Sequence, residues 1–440
     1  MQLLVVGRGC FDSDFQFEVF VVKFKLSSLP ARLLMIAVGI AVAATLALFI
    51  NNDFKLDHLF SKKNSVDEFL QNHWAYPIPA QGKPPADFST MEASLDPSSC
   101  GECHANQFAQ WRSSLHSHTM GPGIRWQLQL VDMKTAQSCL RCHAPMTEQL
   151  ALFAQERGWA GTRSTPPDYI PDNLHRQGLV CAACHVRAHV RHGPLASRPD
   201  VDRNVHDGFV EHEAYSDSRF CANCHQFAED GPRVNGKLRE NTYEQWLATD
   251  FAQQARHCQS CHMPQRQHVW RGIHDKDMTR SALSVELAVQ PEADGAYQLQ
   301  ALVTNTGAGH HFPTYMVPEI VLHLEVLDTD GTAHELARHI IGWRVNLGLT
   351  EEIFDQRLKS GESVRLDGKL QNIAAYRLLR LRISVAPRQH YVRTFDDYLI
   401  YNRAKLQAET LGLVEQSIRE AKAAEYEFIA AEHAIERVAN

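Results

Sequence analysis

Three scarcities narrow the reading before any motif is considered. The chain of 440 residues has no clustered basic charge: 44 Lys and Arg face 51 Asp and Glu, for a formal net charge of −7. A nucleic-acid partner needs a basic patch to meet phosphates, so none is expected. Cysteine is not available for a disulfide framework. Of eleven cysteines, ten fall in one recurring pattern and only Cys10 stands apart, so cysteine here serves a cofactor. The text between the recurring patterns is not itself repeated, which excludes a solenoid. The length allows two or three domains.

What is present is one pentapeptide in five copies. They are Cys100, Cys103 and His104 in CGECH; Cys139, Cys142 and His143 in CLRCH; Cys181, Cys184 and His185 in CAACH; Cys221, Cys224 and His225 in CANCH; and Cys258, Cys261 and His262 in CQSCH. Two cysteines three apart reach the two vinyl groups on one porphyrin edge as thioethers. The adjacent histidine then falls over the iron and binds it axially, which is the attachment logic of a c-type haem. Composition alone predicts roughly 0.01–0.02 such pentapeptides in the chain. A zinc or thiol-redox site gives no reason for a histidine after every second cysteine. Five covalent haems c are therefore expected, bound by these fifteen residues.

Along the chain, residues 1–32 fit no fold, and a start codon chosen upstream of the true one is an equal reading. Leu33 to Ile50 is an apolar run without charge, just long enough to span a bilayer. Lys23, Lys25 and Arg32 precede it, and Asp53 and Asp57 follow. The charge bias predicts a cytoplasmic N-terminus and an exported remainder. No clean cleavage site follows the run, so a transmembrane anchor is read in preference to a signal peptide. Residues 51–95, with Pro77, Pro79, Pro84 and Pro85, read as a tether that becomes ordered.

Residues 96–280 form the expected pentahaem domain, loop- and helix-rich and packed around its haems. Five porphyrins in so short a segment would make up most of its apolar interior. Residues 281–395 change character. Leu283 to Val289, Tyr297 to Thr304, Ile320 to Leu327, Val364 to Leu366 and Leu378 to Val385 are strand-like, and Asp328 to Gly331 is a turn signal. They predict an all-β, sandwich-like domain. Residues 396–440 close the chain as a helix. Asn402 to Val438 carries Leu406, Leu413, Ile418, Ala421 and Phe428 at helical spacing, with a break at Gly412 as an option. The fold class is thus mixed.

The motifs fix one axial ligand per iron: His104, His143, His185, His225 and His262. The sixth position decides function, because two imidazoles close an iron to small molecules and an open position admits them. Candidates are His116, with His118 able to substitute; His206; His268 and His274, which flank Trp270; and His310 beside His311 in a Gly-rich loop. Gly307 and Gly309 are read as letting that loop approach a haem face. Met120, Met146 and Met263 are the possible methionine ligands. Arg141, Arg187 and Arg219 are candidate partners for propionates.

CGECH-ANQFAQWRSSLH resembles the opening of the cytochrome c554 family, which includes relatives of hydroxylamine oxidoreductase. The strings CAACHVR, FCANCHQF, NTYEQWLAT, CQSCHMP and NTGAGHHFPT are similar to exported multihaem c-type cytochromes with a C-terminal β domain. The resemblance spans roughly residues 96–330. It implies that His116 binds the distal face of another haem, and that His206, His268, His274 and His310 complete the set of five. One departure stands out: Val186-Arg187-Ala188 follows the third motif where the family has Gly-Pro-Gly. His189 and His192 are the local alternatives there.

The resulting expectation is a membrane-anchored, periplasm-facing pentahaem cytochrome c that transfers electrons along closely packed, mostly bis-His haems between redox partner proteins. No catalytic residue is assigned. The alternative is an oxidoreductase with one open haem acting on a small nitrogen or sulfur compound.

Overall fold

The computed structural model describes residues 65–159, 166–195, 206 and 208–435. The segment 1–32, the apolar run Leu33 to Ile50 and the start of the tether lie outside the described residues. Among those described, no helix is long and apolar enough to cross a membrane.

From Val66 onward the chain is packed. A helix over 65–73 leads into an extended stretch that buries Trp74, Ile78 and Leu95. Ile78 bonds across to Pro145 and Thr147 through its backbone. The prolines keep this stretch extended, while the apolar residues between them give it something to bury. The second half of the expected tether is therefore part of the haem region.

The region from 97 to 281 is built of short helices joined by loops, with two small sheets of very short strands between 186 and 238. Helix starts are capped by acidic side chains: Asp96 accepts from the Ser98 amide, Asp132 from Thr135 and Asp275 from Met278. Helices α1 (Pro122–Leu128) and α2 (Met133–His143), the second of which ends in the second motif, share an apolar cluster through Leu128, Ala136 and Leu140. Apolar side chains here make small separate clusters, one holding Trp74, Trp111 and Leu174, another holding Leu128, Leu140 and Phe153. A connected cavity of about 2210 Å³ runs beside them. As the composition implied, side chains alone do not make this region's core.

The β domain contains β1 (Leu283–Pro291), β2 (Tyr297–Asn305), β3 (Glu319–Asp328), β4 (Ala333–Val345), β5 (Glu352–Asp355), β6 (Ser363–Leu370) and β7 (Tyr376–Ala386). After helices α3 (Gln389–Asn402) and α4 (Ala408–Ala423), β8 (Tyr426–Ala434) returns to it. One sheet runs β5-β4-β3-β7-β8 and the other β6-β2-β1. All six pairings are antiparallel. Alternate residues point inward: Leu299, Ala301 and Val303 from one sheet meet Ile320, Leu322, Leu379, Leu381 and Ile383 from the other, all at 0% exposure. Each large aliphatic side chain buried this way contributes about 1.5–3 kcal/mol.

All five expected strand runs are strands, and the turn at Gly331 has its left-handed backbone (φ +90°). The helical reading of 402–438 holds over Ala408–Ala423, with Gly412 inside the helix. The chain breaks earlier, at Arg403–Lys405, and residues 426–434 pair with β7. Tyr426 and Phe428 lie on alternate positions, and Phe428 is buried between the sheets. Helices α3 and α4 pack back on α1 through Trp126, Phe395, Leu413 and Val414.

Candidate haem-binding site

Each motif is wound as about one helical turn. The second ends α2, and the others lie on Pro97–Gly101, Cys181–His185, Arg219–His225 and Cys258–His262. In the first motif the turn continues past the assigned helix, since the His104 amide bonds to Cys100 O at 2.9 Å. Residues three apart on a helix share a face, so the two thiols of each motif point the same way and the histidine follows on the next step. All ten cysteines and all five motif histidines line the one cavity. His116, His206, His268, His274 and His310 line it too.

Four of these histidines stand across from motif histidines at nearly one separation. Ring centres are 6.2 Å apart for His104 and His206, 6.4 Å for His225 and His116, 6.0 Å for His185 and His268, and 6.3 Å for His262 and His310. An imidazole nitrogen binds a first-row metal at about 2.0 Å, and the ring centre lies about an ångström further, so two imidazoles on one metal have centres roughly 6 Å apart. The residues therefore fit an iron held between each pair. The chain separations are long: His116 faces a motif more than a hundred residues later, and His310 reaches in from the β domain.

Burial also holds seven of these rings in the ligating form. Burial lowers the pKa of His116 to about 3 and those of His185 and His310 to about 4, and it lowers those of His143, His206, His262 and His268. Such imidazoles are neutral at pH 7. Backbone carbonyls fix the tautomer. Nδ1 faces Thr119 O in His143, His192 O in His185, Arg271 O in His262, Arg266 O in His268 and His311 O in His310. A proton donated there leaves Nε2 free for a metal.

The remaining candidates are placed differently. Among the described residues, no imidazole stands across from His143 at the separation the four pairs share. His274 lines the cavity but pairs with no motif histidine in this way. His118 is exposed, with Nδ1 against Ser114 O. His189 is buried, with Nε2 against Gly82 O, and His192 offers its carbonyl to His185. The third motif thus finds its facing imidazole in His268, beyond the fifth motif. His311 has its amide on Gln245. Met120 and Met146 are packed in side-chain cores.

Arg187 is spent on His73 O and Ala183 O, Arg219 on Asp217 and Asp67, and Arg141 lies over the Tyr76 ring. Gly307 and Gly309 line the cavity, and they also approach protein. A Cβ at 307 would lie 2.0 Å from Ser281 O, and one at 309 would lie 2.8 Å from the Phe251 ring. The loop is tight because it docks on the haem region's own chain.

Two features were not legible in the sequence. The first is the spatial order of the attachment sites. The sulfurs of Cys100 and Cys181, of Cys142 and Cys224, and of Cys221 and Cys258 are near neighbours. The first and third sites thus abut, and the fourth touches both the second and the fifth. The second is Trp270, whose ring stands nearly perpendicular to those of His116 and His268, with ring centres 4.5 Å and 5.1 Å away, and so separates two facing imidazoles. It holds a left-handed backbone (φ +39°), costly for a bulky residue.

A family model described as cytochrome c554 and c-prime matches residues 99–186, the stretch with the first three motifs. No curated protein matches the chain. Among solved structures, a penta-heme cytochrome c552 from Thermochromatium tepidum matches with a TM-score of 0.52 and 17% identity, over 79% of this chain and 100% of that one. At that identity the likeness is one of fold. Five Cys-x-x-Cys-His motifs turned into one cavity, with a family match across three of them, make this chain a multihaem c-type cytochrome with five covalently bound haems c.

Proposed function

We propose that the protein is an electron carrier working outside the cytoplasm, in which His206, His116, His268 and His310 close the irons held by His104, His225, His185 and His262. The four imidazole pairs at one common separation carry this reading. Haem c supplies one-electron chemistry, and two imidazoles per iron keep small molecules away from it. The chain's contribution is to keep His116, His185, His206, His262, His268 and His310 neutral by burial, to fix the tautomers of His185, His262, His268 and His310 with backbone carbonyls, and to bring neighbouring attachment sites close together. Its partners are a donor and an acceptor redox protein. The test is ligand exclusion. Carbon monoxide added to the reduced protein should change the spectrum of at most one haem in five. A change in two or more would remove the carrier reading.

The apolar run Leu33 to Ile50 and its flanking charges support an inner-membrane anchor with the bulk in the periplasm. The mature protein should fractionate with membranes and be released by protease added from the periplasmic side. A soluble product beginning near residue 50 would instead make the run a cleaved signal.

A second reading concerns His143 alone. Its Nδ1 is held by Thr119 O as in a ligating histidine, yet none of the described imidazoles faces it at pair distance. Its haem then has an exchangeable sixth position, and the four closed sites supply it with electrons.

A further inference from the structure

The third motif is followed by a charge that the carrier role does not use. Two places after the five motif histidines stand Asn106, Pro145, Arg187, Phe227 and Pro264, so only the third turn holds a cation there. The side chain folds back onto its own turn. Its guanidinium donates to Val186 O at 2.6 Å, Ala183 O at 3.0 Å and Ala182 O at 3.4 Å, and to His73 O at 2.8 Å and 2.5 Å. Ala182 and Ala183 are the two residues between Cys181 and Cys184, which carry the thioethers of the third haem. The charge is therefore fixed against the loop that is bonded to the porphyrin edge. Its guanidinium carbon lies over the Trp74 ring, 5.6 Å from the centre. Arg191 lines the cavity and Arg187 does not, so Arg187 acts through the turn and not as a propionate partner.

Little offsets this charge. Among the described residues Arg187 meets no carboxylate, and every hydrogen bond it makes ends on a backbone carbonyl. Glu148 is the carboxylate within electrostatic reach, but its Oε1 takes the Gln81 amide at 2.6 Å and burial raises its pKa. His73 is neutral at pH 7, because burial and then Arg187 lower its pKa to about 3. Its Nε2 and the Tyr215 hydroxyl both donate to Cys184 O, at 2.9 Å and 2.6 Å, so that carbonyl is drawn towards donors as well. A guanidinium keeps its proton in such a place. Its field is screened less there than in water. A ferric haem carries one more positive charge than a ferrous one, so a cation fixed beside it disfavours the ferric form.

We propose that Arg187 is a fixed cation that raises the reduction potential of the third haem, so that an electron stays on this haem longer than it would without the charge. The iron passes from ferric to ferrous on one electron from the donor protein or a neighbouring haem, and no bond is made or broken. The third site abuts the first, so the charge biases the step between them towards the third. Arg187 is in this sense a positioning residue for electrons and not a ligand.

The experiment is a redox titration of the fully loaded protein, followed in the visible haem bands and fitted to five one-electron steps. Arg187→Gln should lower one midpoint by about 28 mV or more, a threefold change in a one-electron equilibrium, and leave the other four in place. Arg187→Met is a second neutral replacement, used where the Gln variant does not take up all five haems. Arg187→Lys keeps the charge but loses the forked contacts with the carbonyls, and it should leave all five midpoints at their wild-type values. A purely structural role would instead make all three variants less stable to denaturant, with the midpoints unmoved or moved together. Five unchanged midpoints in a neutral variant would overturn the proposal. A shift as large in Arg187→Lys as in Arg187→Gln would overturn it too, because the hydrogen bonds and not the charge would then set the potential.

Discussion

Replacing His310 with Ala is expected to convert one haem in five from low to high spin and to loosen the β domain from the haem region. His310 is held from several sides. Its Nδ1 is fixed by His311 O, and its carbonyl is bound by Asn305, which is fully buried and also holds Leu358 O. Gln245 of the haem region accepts from the His311 amide and the Thr314 hydroxyl and donates to Thr314 O. The loop is thus presented as a rigid piece across from His262, and an iron held between the two rings would join the domains. Without the imidazole, protease should cut more readily around residues 275–285, where the chain passes from one domain to the other. His311→Ala, made in parallel, should leave the spin state alone. Spectra unchanged in both variants and in the double variant would refute the pairing of His310 with His262.

The largest expected effect on stability lies elsewhere. Glu325 on β3 is buried, its side chain only 5% exposed, and is bound by both Arg380 and Arg382 from β7. Glu325→Ala leaves two guanidiniums short of their shared partner in the larger sheet. Breaking a buried ion pair costs about 3–5 kcal/mol, and the low end applies because both arginines reach solvent and Arg382 also meets Glu427. Denaturant unfolding should show the loss with the haem spectrum unchanged.

The pH dependence follows from the same contacts. Burial pushes the Glu325 carboxyl up, but Arg382 and Arg380 outweigh it and hold the carboxyl below its ordinary value. A depressed carboxyl contributes stability that is complete above its unfolded pKa and is lost as the pH falls through the folded one. Wild type should therefore lose more stability than Glu325→Ala on acidification below about pH 4. Equal acid sensitivity in both proteins would contradict this account.

Covalent chemistry was the most legible feature of the chain. A Cys-x-x-Cys-His turn is complete in five consecutive residues, so its geometry is set locally, and all five motifs turn into the cavity. The β domain was readable where one face is buried and the other wet, as in β2 and β7. It was not readable in β4, whose first half is polar and exposed, or in β8, whose short alternation is hidden beside a helix-rich run. The facing histidines were legible as a set but not as pairs, because each pair is made by tertiary packing between distant segments. His268 illustrates the difficulty: its partner His185 precedes it by two motifs, while the nearer His189 turns its ring to Gly82 O and His192 packs its ring against His73. The resemblance grouped His274 with the others, yet its spacing in the chain says nothing of the Arg388 side of the cavity where it lies.

The count of spin states in the fully loaded, oxidised protein tests the central claim most directly. Electron paramagnetic resonance at low temperature, quantified against five haems, should give four low-spin centres and one high-spin centre. His274→Ala should leave that ratio unchanged. Five low-spin centres in wild type, with one released by His274→Ala, would place an imidazole on the haem of His143 and contradict the account.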